Sequence, residues 1–315
     1  MNNKKVIFMG TPDFACPILE MLIQRTNVVL VVTQPDKEVG RKKVLTPSPV
    51  KKVALDHGVA VFQPQSIKKD FAKLKEYDVD LIVTCAYGQI LSKEILDIPK
   101  YGCINVHASI LPKYRGSAPI QWALFNGDKE TGITIMYMDE GMDSGDIIEI
   151  QKIAIADHDN VGSLHDKLSV LGKNTLESVL PKIFTNDITR MKQPDEYTLA
   201  PMIKRSDERL DFTTNGQNII NKIRGLNPWP LANINLNHQE IKVIDAYFQK
   251  SNVTSCGQIV KIDKKNLAIS CQDGLIYLTK IKPSGKNVMD ITSFLNGIDK
   301  EKYQNMVVAN ENKSK

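Results

Sequence analysis

Short, uninterrupted apolar runs alternate with stretches of helical periodicity through the first half of the chain. No other feature constrains the fold as much. Lys5–Gly10 and residues 28–32, 80–84, 103–106 and 132–136 are such runs, each bounded by turn residues or charge. Strands buried on both faces of a parallel sheet read in this way, as continuous apolar segments rather than alternating ones. Between them, residues 13–24 place Phe14, Ile18, Leu19, Leu22 and Ile23 on one helical face, and 68–76 is a charged helical segment. Strands alternating with helices predict βαβ units and a mostly parallel, Rossmann-like α/β sheet. A long helix over 161–184, with Asn160 as its N-cap, is expected to close this first domain.

At 315 residues the chain exceeds the usual size of one domain, so a second is expected. Between residues 186 and 211 the periodicity lapses and Pro194 and Pro201 appear, which places a first domain at 1–190 and a linker at 191–209. After a short helix at 219–226 and the rigid turn Asn227-Pro-Trp-Pro230, strand-like runs follow at 232–236, 240–248, 257–262, 267–271 and 275–281. Five short strands suit a small closed or nearly closed β-barrel over 210–310, of which the oligonucleotide-binding (OB) type is one form. The tail, 311–315, is polar and expected to be disordered.

Composition excludes several classes. No stretch approaches a membrane span, and the Lys-bearing N-terminus runs into an apolar segment too short for a secretory signal. Cys16, Cys85, Cys103, Cys256 and Cys271 are scattered without a metal-ligand or C-x-x-C spacing, as expected for a cytoplasmic protein in a reducing compartment. Net charge is +5, but from Pro201 onward there are 17 Lys/Arg against 11 Asp/Glu, leaving 24 against 25 upstream. The excess positive charge therefore belongs to the C-terminal third. It either aids solubility or forms the footprint of a polyanion, and composition leaves this open.

Chemistry concentrates in residues 104–145. Asn105 and His107 sit at the carboxyl end of a predicted strand, two residues apart, so their side chains point the same way. Ligands bind at that end of an open α/β sheet. A converging amide and imidazole can stabilise an oxyanion and handle a proton, and a carboxylate arriving from another loop can orient and charge the ring. The residues alone also allow a strand-ending amide and a satisfied core histidine, and they do not select among Asp139, Asp143 and Asp146. The turn Gly10-Thr-Pro-Asp-Phe lacks a Gly-x-Gly-x-x-Gly fingerprint, so a nicotinamide dehydrogenase is disfavoured, and Pro12 reads as the residue opening a helix. Residues 34–49 form a long connection carrying Arg41, Lys42 and Lys43, a solvated loop or a contact for phosphates.

The ordered motifs Asn-Val-His-x-Ser-x-Leu-Pro-x-x-Arg-Gly from Asn105, Glu-Thr-Gly-Ile-Thr from Glu130 and Met-Asp-x-Gly-x-Asp-x-Gly-Asp from Met138 resemble the core of the 10-formyltetrahydrofolate-dependent formyltransferases. The likeness continues through Gly10-Thr-Pro-Asp-Phe-Ala15, Thr33-Gln-Pro-Asp36, Ala86-Tyr-Gly88, Asn227-Pro-Trp-Pro230 and Phe294-Leu-x-Gly297, nearly the whole chain. It implies Asn105, His107 and Asp143 as catalytic residues, and Ser109, Ile110, Leu111 and Pro112 lining the folate pocket, with Arg115 and Gln121 as further candidates nearby. It implies 10-formyltetrahydrofolate as formyl donor with no metal, and an OB-type C-terminal domain. The basic loop points within the family to the branch acting on initiator methionyl-tRNA, with Arg41 as a tRNA contact and Lys42 and Lys43 beside it. No membrane partner is implied, and a monomer is expected. The rivals are an enzyme formylating an amino-sugar nucleotide and a non-catalytic RNA-binding module; the joint presence of Asn105, His107 and Asp143 argues against the latter.

Overall fold

The computed structural model describes residues 1–40 and 42–308; Arg41 and the tail at 311–315 lie outside the described residues. The chain forms two units. The first comprises Met1–Pro119, Glu130–Ala154 and His165–Ala200; the second comprises Ile120–Lys129, Ile155–Leu164 and the chain from Pro201 onward. The segment read from sequence as the start of a linker thus runs with the first unit as far as Ala200.

In the first unit the strands are β1 (Lys5–Gly10), β2 (Asn27–Val32), β3 (Lys37–Val39), β4 (Val44–Thr46), β5 (Val61–Phe62), β6 (Leu81–Cys85), β7 (Cys103–His107), β8 (Glu130–Tyr137) and β9 (Ile147–Ala154). Seven of them form one sheet in the order β5-β2-β1-β6-β7-β8-β9. The sheet is parallel as far as β7, whereas β8 and β9 pair antiparallel. The run at 132–136 is a strand as expected, but its direction is reversed. It returns from β7 through the helix Pro119–Phe125, and β9 follows as a hairpin partner at the sheet edge. The connection at 34–49 is not a plain loop: β3 and β4 pair as a two-stranded hairpin, with Val39 opposite Val44 and Gly40 at φ +74° in its turn. Pro12 does not open the helix directly. A 3₁₀ turn, Asp13–Ala15, comes first, and the helix is Cys16–Arg25.

Period two along β7 decides what each face carries. Val106 meets the long helix Val161–Thr185: a Cβ placed on Gly172 would lie 3.0 Å from the Val106 side chain, so the helix crosses at a glycine. On the opposite face Cys103 joins the cluster of Ile7, Met9, Leu30, Ile82 and Ile95. Asn105 and His107 continue that second face toward the carboxyl end. Burying these polar groups costs energy unless they are hydrogen bonded. Their buried strand neighbours Ile104 and Val106 each contribute about 1.5–3 kcal/mol and hold the strand in place.

In the second unit, β10 (Ala232–Leu236), β11 (Gln239–Lys250), β12 (Ile259–Ile262), β13 (Leu267–Cys271) and β14 (Gly274–Pro283) form an antiparallel sheet in the order β10-β11-β14-β13-β12, and β15 (Met289–Asp290) pairs with β14. The five strands match the sequence expectation. Among the described residues no pairing joins β10 to β12, so the sheet is an open path. Its core holds Phe212, Ile219, Ile223, Leu226, Ile234 and Ile269, with the helix Gly216–Leu226 supplying Ile219, Ile223 and Leu226.

Candidate active site

The site grows out of the paired ends of β6 and β7. Thr84, a lone hydroxyl in the run Leu-Ile-Val-Thr-Cys, is register partner of Asn105. Its Oγ1 donates to Asn105 Oδ1 at 2.8 Å, which fixes the amide orientation. Asn105 Nδ2 then donates to Asp143 Oδ1 at 3.3 Å, a long bond. An amide nitrogen carries two hydrogens, so one remains for a ligand. His107 is buried, with Nε2 2.9 Å from the carbonyl of Tyr114 and Nδ1 3.6 Å from Asp143 Oδ2. Both partners are acceptors. A neutral ring satisfies Tyr114 through Nε2–H but turns an Nδ1 lone pair toward the carboxylate, whereas a proton at Nδ1 converts that repulsion into an ion pair.

Asp143 occupies the left-handed region, φ +51°, and its Oδ2 accepts the backbone N–H of Gly116 at 2.8 Å. Gly116 is itself at φ +122°, and a Cβ there would lie 2.8 Å from the Ala200 carbonyl oxygen, so the position requires glycine. Of the three aspartates in this loop, Asp143 is the one set against Asn105 and His107. Asp139 instead accepts from Ser144 Oγ and the Gly141 N–H within its own turn, and Asp146 faces the neighbouring cavity. The sheet therefore brings together all three sequence-derived candidates, from two strand positions and one loop. Thr84, Gly116 and Gln193 also belong to the constellation. A hydroxyl inside an apolar strand was a visible signal for Thr84; Gln193 carried none.

Ser109–Pro112 turns inward. Ser109 Oγ donates to the Lys113 carbonyl at 2.6 Å, the Ser109 carbonyl accepts from Thr134 Oγ1 at 2.6 Å, and the Leu111 N–H donates to that same hydroxyl at 3.1 Å. The carbonyls of Ile110 and Pro112 accept from Lys113 and Thr198. Each of these backbone groups has a partner within the protein. The segment can wall a pocket, with half-buried Ile110 and Pro112 as its accessible side chains. A cavity of about 450 Å³ adjoins the site, lined by Arg115, Tyr137, Ser144, Asp146, Arg190 and Gln193 among others. Arg190 lies 3.8 Å over the Tyr137 ring and Arg115 4.5 Å over Tyr197. Gln121 falls in the second unit.

Lys42 and Lys43 lie in the β3–β4 turn, exposed, with Lys43 Nζ 3.9 Å from Glu38. Arg41, the leading RNA-contact candidate, lies outside the described residues. Burial pushes the thiols of Cys85 and Cys103, which flank the paired strands, well up, so they stay protonated and are poor nucleophiles. Among the described residues no three His, Cys, Asp or Glu side chains are grouped to hold a metal ion, and no helix is long and apolar enough to cross a membrane.

Residues 4–180 match the formyl transferase family profile and residues 202–299 that of the formyl transferase C-terminal domain. A methionyl-tRNA formyltransferase of Staphylococcus epidermidis is 49% identical over 298 residues, 93% of this chain and 96% of that one. That of Listeria innocua is 47% identical over 297 residues, covering 93% and 95%. The crystal structure of WlaRD, a sugar 3N-formyl transferase determined with dTDP and 5-N-formyl-THF, superposes with a TM-score of 0.67 at 20% identity, over 91% of this chain and 100% of that one. HypX from Aquifex aeolicus, solved with tetrahydrofolic acid, gives 0.64 at 13% identity over 94% of this chain and 47% of its own. At those identities the two structures speak for the fold alone. The chain belongs to the formyl transferase family and, within it, to the methionyl-tRNA formyltransferases.

Proposed function

We propose that the protein transfers the formyl group of 10-formyltetrahydrofolate to the α-amino group of methionine esterified to initiator tRNA, in the cytoplasm. The amine nitrogen attacks the formyl carbon, and the carbonyl electron pair moves onto oxygen as a tetrahedral oxyanion. Collapse breaks the bond to the folate nitrogen, which leaves with a proton, while the new amide loses one. The reading rests most on one observation: Asn105, oriented by Thr84 and spending one N–H on Asp143, keeps its second N–H for that oxygen. An oxyanion donor works best when its direction is fixed beforehand.

His107 is the second donor of this reading, and it reaches the oxyanion by exchanging its bond to the Tyr114 carbonyl. Asp143 orients the ring. Its two oxygens accept one N–H each from Asn105 and Gly116, so lone pairs remain for the departing amine proton, directly or through solvent. No covalent enzyme intermediate is required. Ser109–Pro112 forms a wall for the folate, Arg41 contacts the tRNA, and Lys42 and Lys43 support it from the β3–β4 turn. The protein acts as a monomer. The test supplies 10-formyltetrahydrofolate labelled in the formyl group and methionyl-initiator tRNA, then analyses the amino acid released by mild alkali. Labelled N-formylmethionine is expected; label remaining wholly on the folate over many hours would overturn the assignment.

A further inference from the structure

Gln193 lies in a stretch without secondary structure, yet its side chain is buried, with 7% of its surface exposed. Its amide is saturated. Nε2 donates to the carbonyls of Asp143 at 2.9 Å and Gly145 at 2.8 Å, and Oε1 accepts from Arg115 Nε at 3.1 Å and Nη2 at 2.7 Å. Two donors and two lone pairs are all that a glutamine side chain has. Flipping the amide would set N–H against guanidinium and oxygen against two carbonyls, so the orientation is dictated by the network. These four bonds close a ring through the chain. Gln193 grips the backbone of Asp143 on one side and the side chain of Arg115 on the other, and the next residue, Gly116, donates its N–H to the Asp143 carboxylate.

The segment bearing Gln193 is anchored at both ends. Met191 exchanges two backbone hydrogen bonds with Ile147, at 2.8 and 2.9 Å, and Thr198 and Ala200 bond to the backbone of Arg115. Arg115 is further held by the ring of Tyr197. The clamp therefore ties the segment around Gln193 and the Arg115–Gly116 turn to Asp143, whose carboxylate faces His107 and whose backbone sits at positive φ. Such a conformation costs of order 1–3 kcal/mol and persists only where its surroundings impose it.

We propose that Gln193 is a positioning residue for acyl transfer, fixing through its amide the Asp143 carboxylate that orients His107 and Asn105. The proposal rests on the formyl-transfer reading for its kinetic consequence but not for its structural one. Gln193→Glu separates the two halves of the clamp: a carboxylate keeps Arg115 but loses both donations to the loop and opposes its carbonyls. Gln193→Met keeps the shape and loses everything else. A displacement of about 1 Å at a reacting centre can cost about 10²-fold in rate, so both variants should lower kcat by about 10–100-fold with KM for each substrate within about threefold.

The test combines three measurements on the full chain. The first is kcat and KM for Gln193→Glu and Gln193→Met. The second is the same substitutions in an Asp143→Asn background; a residue acting through Asp143 should then cost less than about threefold, whereas an independent structural role would multiply. The third is hydrogen exchange at the Gly116 amide, which needs no substrate. Its protection should fall at least about tenfold in both variants while that of the β1 and β6 amides stays. Unchanged Gly116 protection, or an equal kcat loss in the two backgrounds, would overturn the proposal. Failure of the wild type to formylate methionyl-tRNA would instead condemn the functional reading and leave the exchange result to judge Gln193.

Discussion

Replacing Asn105 by alanine tests the acyl-transfer geometry at its centre. The substitution removes three interactions: the Thr84 donation at 2.8 Å, the long donation to Asp143 at 3.3 Å and the N–H reserved for the oxyanion. The folded state loses little. Thr84 Oγ1 also lies 3.2 Å from the Ile104 carbonyl and can donate there, and an ordinary hydrogen bond contributes only about 0.5–1.5 kcal/mol. At about 2–4 °C per kcal/mol for a chain of this size, Tm should fall by only a few degrees. The transition state loses far more. One preorganised oxyanion donor is worth about 10²–10³ in kcat, about 2.7–4 kcal/mol. A transition-state interaction lowers kcat and leaves KM nearly unchanged, so steady-state kinetics with both substrates varied, beside a melting curve, should show that split. Asn105→Asp should be at least as damaging, since it retains the shape, cannot donate, and places a second carboxylate beside Asp143. Turnover within a few-fold of wild type for Asn105→Ala, or activity retained by Asn105→Asp, would refute the oxyanion role.

Gly116→Ala should destabilise the protein by about 1–3 kcal/mol, because φ +122° and the Ala200 carbonyl both exclude a side chain there; an unchanged denaturant midpoint would contradict this. Titration of the native protein with a thiol reagent at neutral pH should label Cys256 quickly and the others slowly, since burial pushes Cys85 and Cys103 up and burial with the nearby Asp13 and Glu20 charges pushes Cys16 up to about 11. Being raised, the Cys16 thiol remains protonated at neutrality and becomes reactive only as pH approaches that value; rapid modification of two or more thiols at pH 7 would count against this packing. Combined Arg41→Ala, Lys42→Ala and Lys43→Ala should raise KM for tRNA and flatten its dependence on salt while KM for the folate stays put, the signature of lost phosphate contacts; an equal rise for both substrates would point elsewhere.

What could be read from the sequence follows from burial. β1, β2, β6 and β7 are largely enclosed, so their runs are mostly apolar and stand out. β9 was missed because it is an edge strand whose Gln151 and Lys152 face solvent, and β3, β4 and β5 because two or three residues, exposed or partly so, carry no period. The reversal of β8 was likewise invisible, since composition does not encode strand direction. The segment 68–76 read as one helix but is a short α-helix, Ile67–Asp70, continued by a 3₁₀ helix, Phe71–Tyr77. Within the site, Asn105 and His107 followed from the two-residue period of a strand. Asp143 had to be chosen by resemblance, because three aspartates lie close together in that loop and only folding shows which one turns inward. Gln193 was illegible for another reason: two of its bonds go to backbone carbonyls, which every residue possesses, 48 and 50 positions away.

The central claim is that this site formylates methionine on initiator tRNA rather than an amino sugar, and kcat/KM for the two acceptors, measured side by side on one preparation with 10-formyltetrahydrofolate saturating, tests it most directly. Transfer to methionyl-initiator tRNA should exceed that to a dTDP-linked amino sugar by several orders of magnitude, and Asn105→Asp should abolish both. Preferential transfer to the sugar would preserve the catalytic geometry and contradict the acceptor, together with the role given to the basic turn.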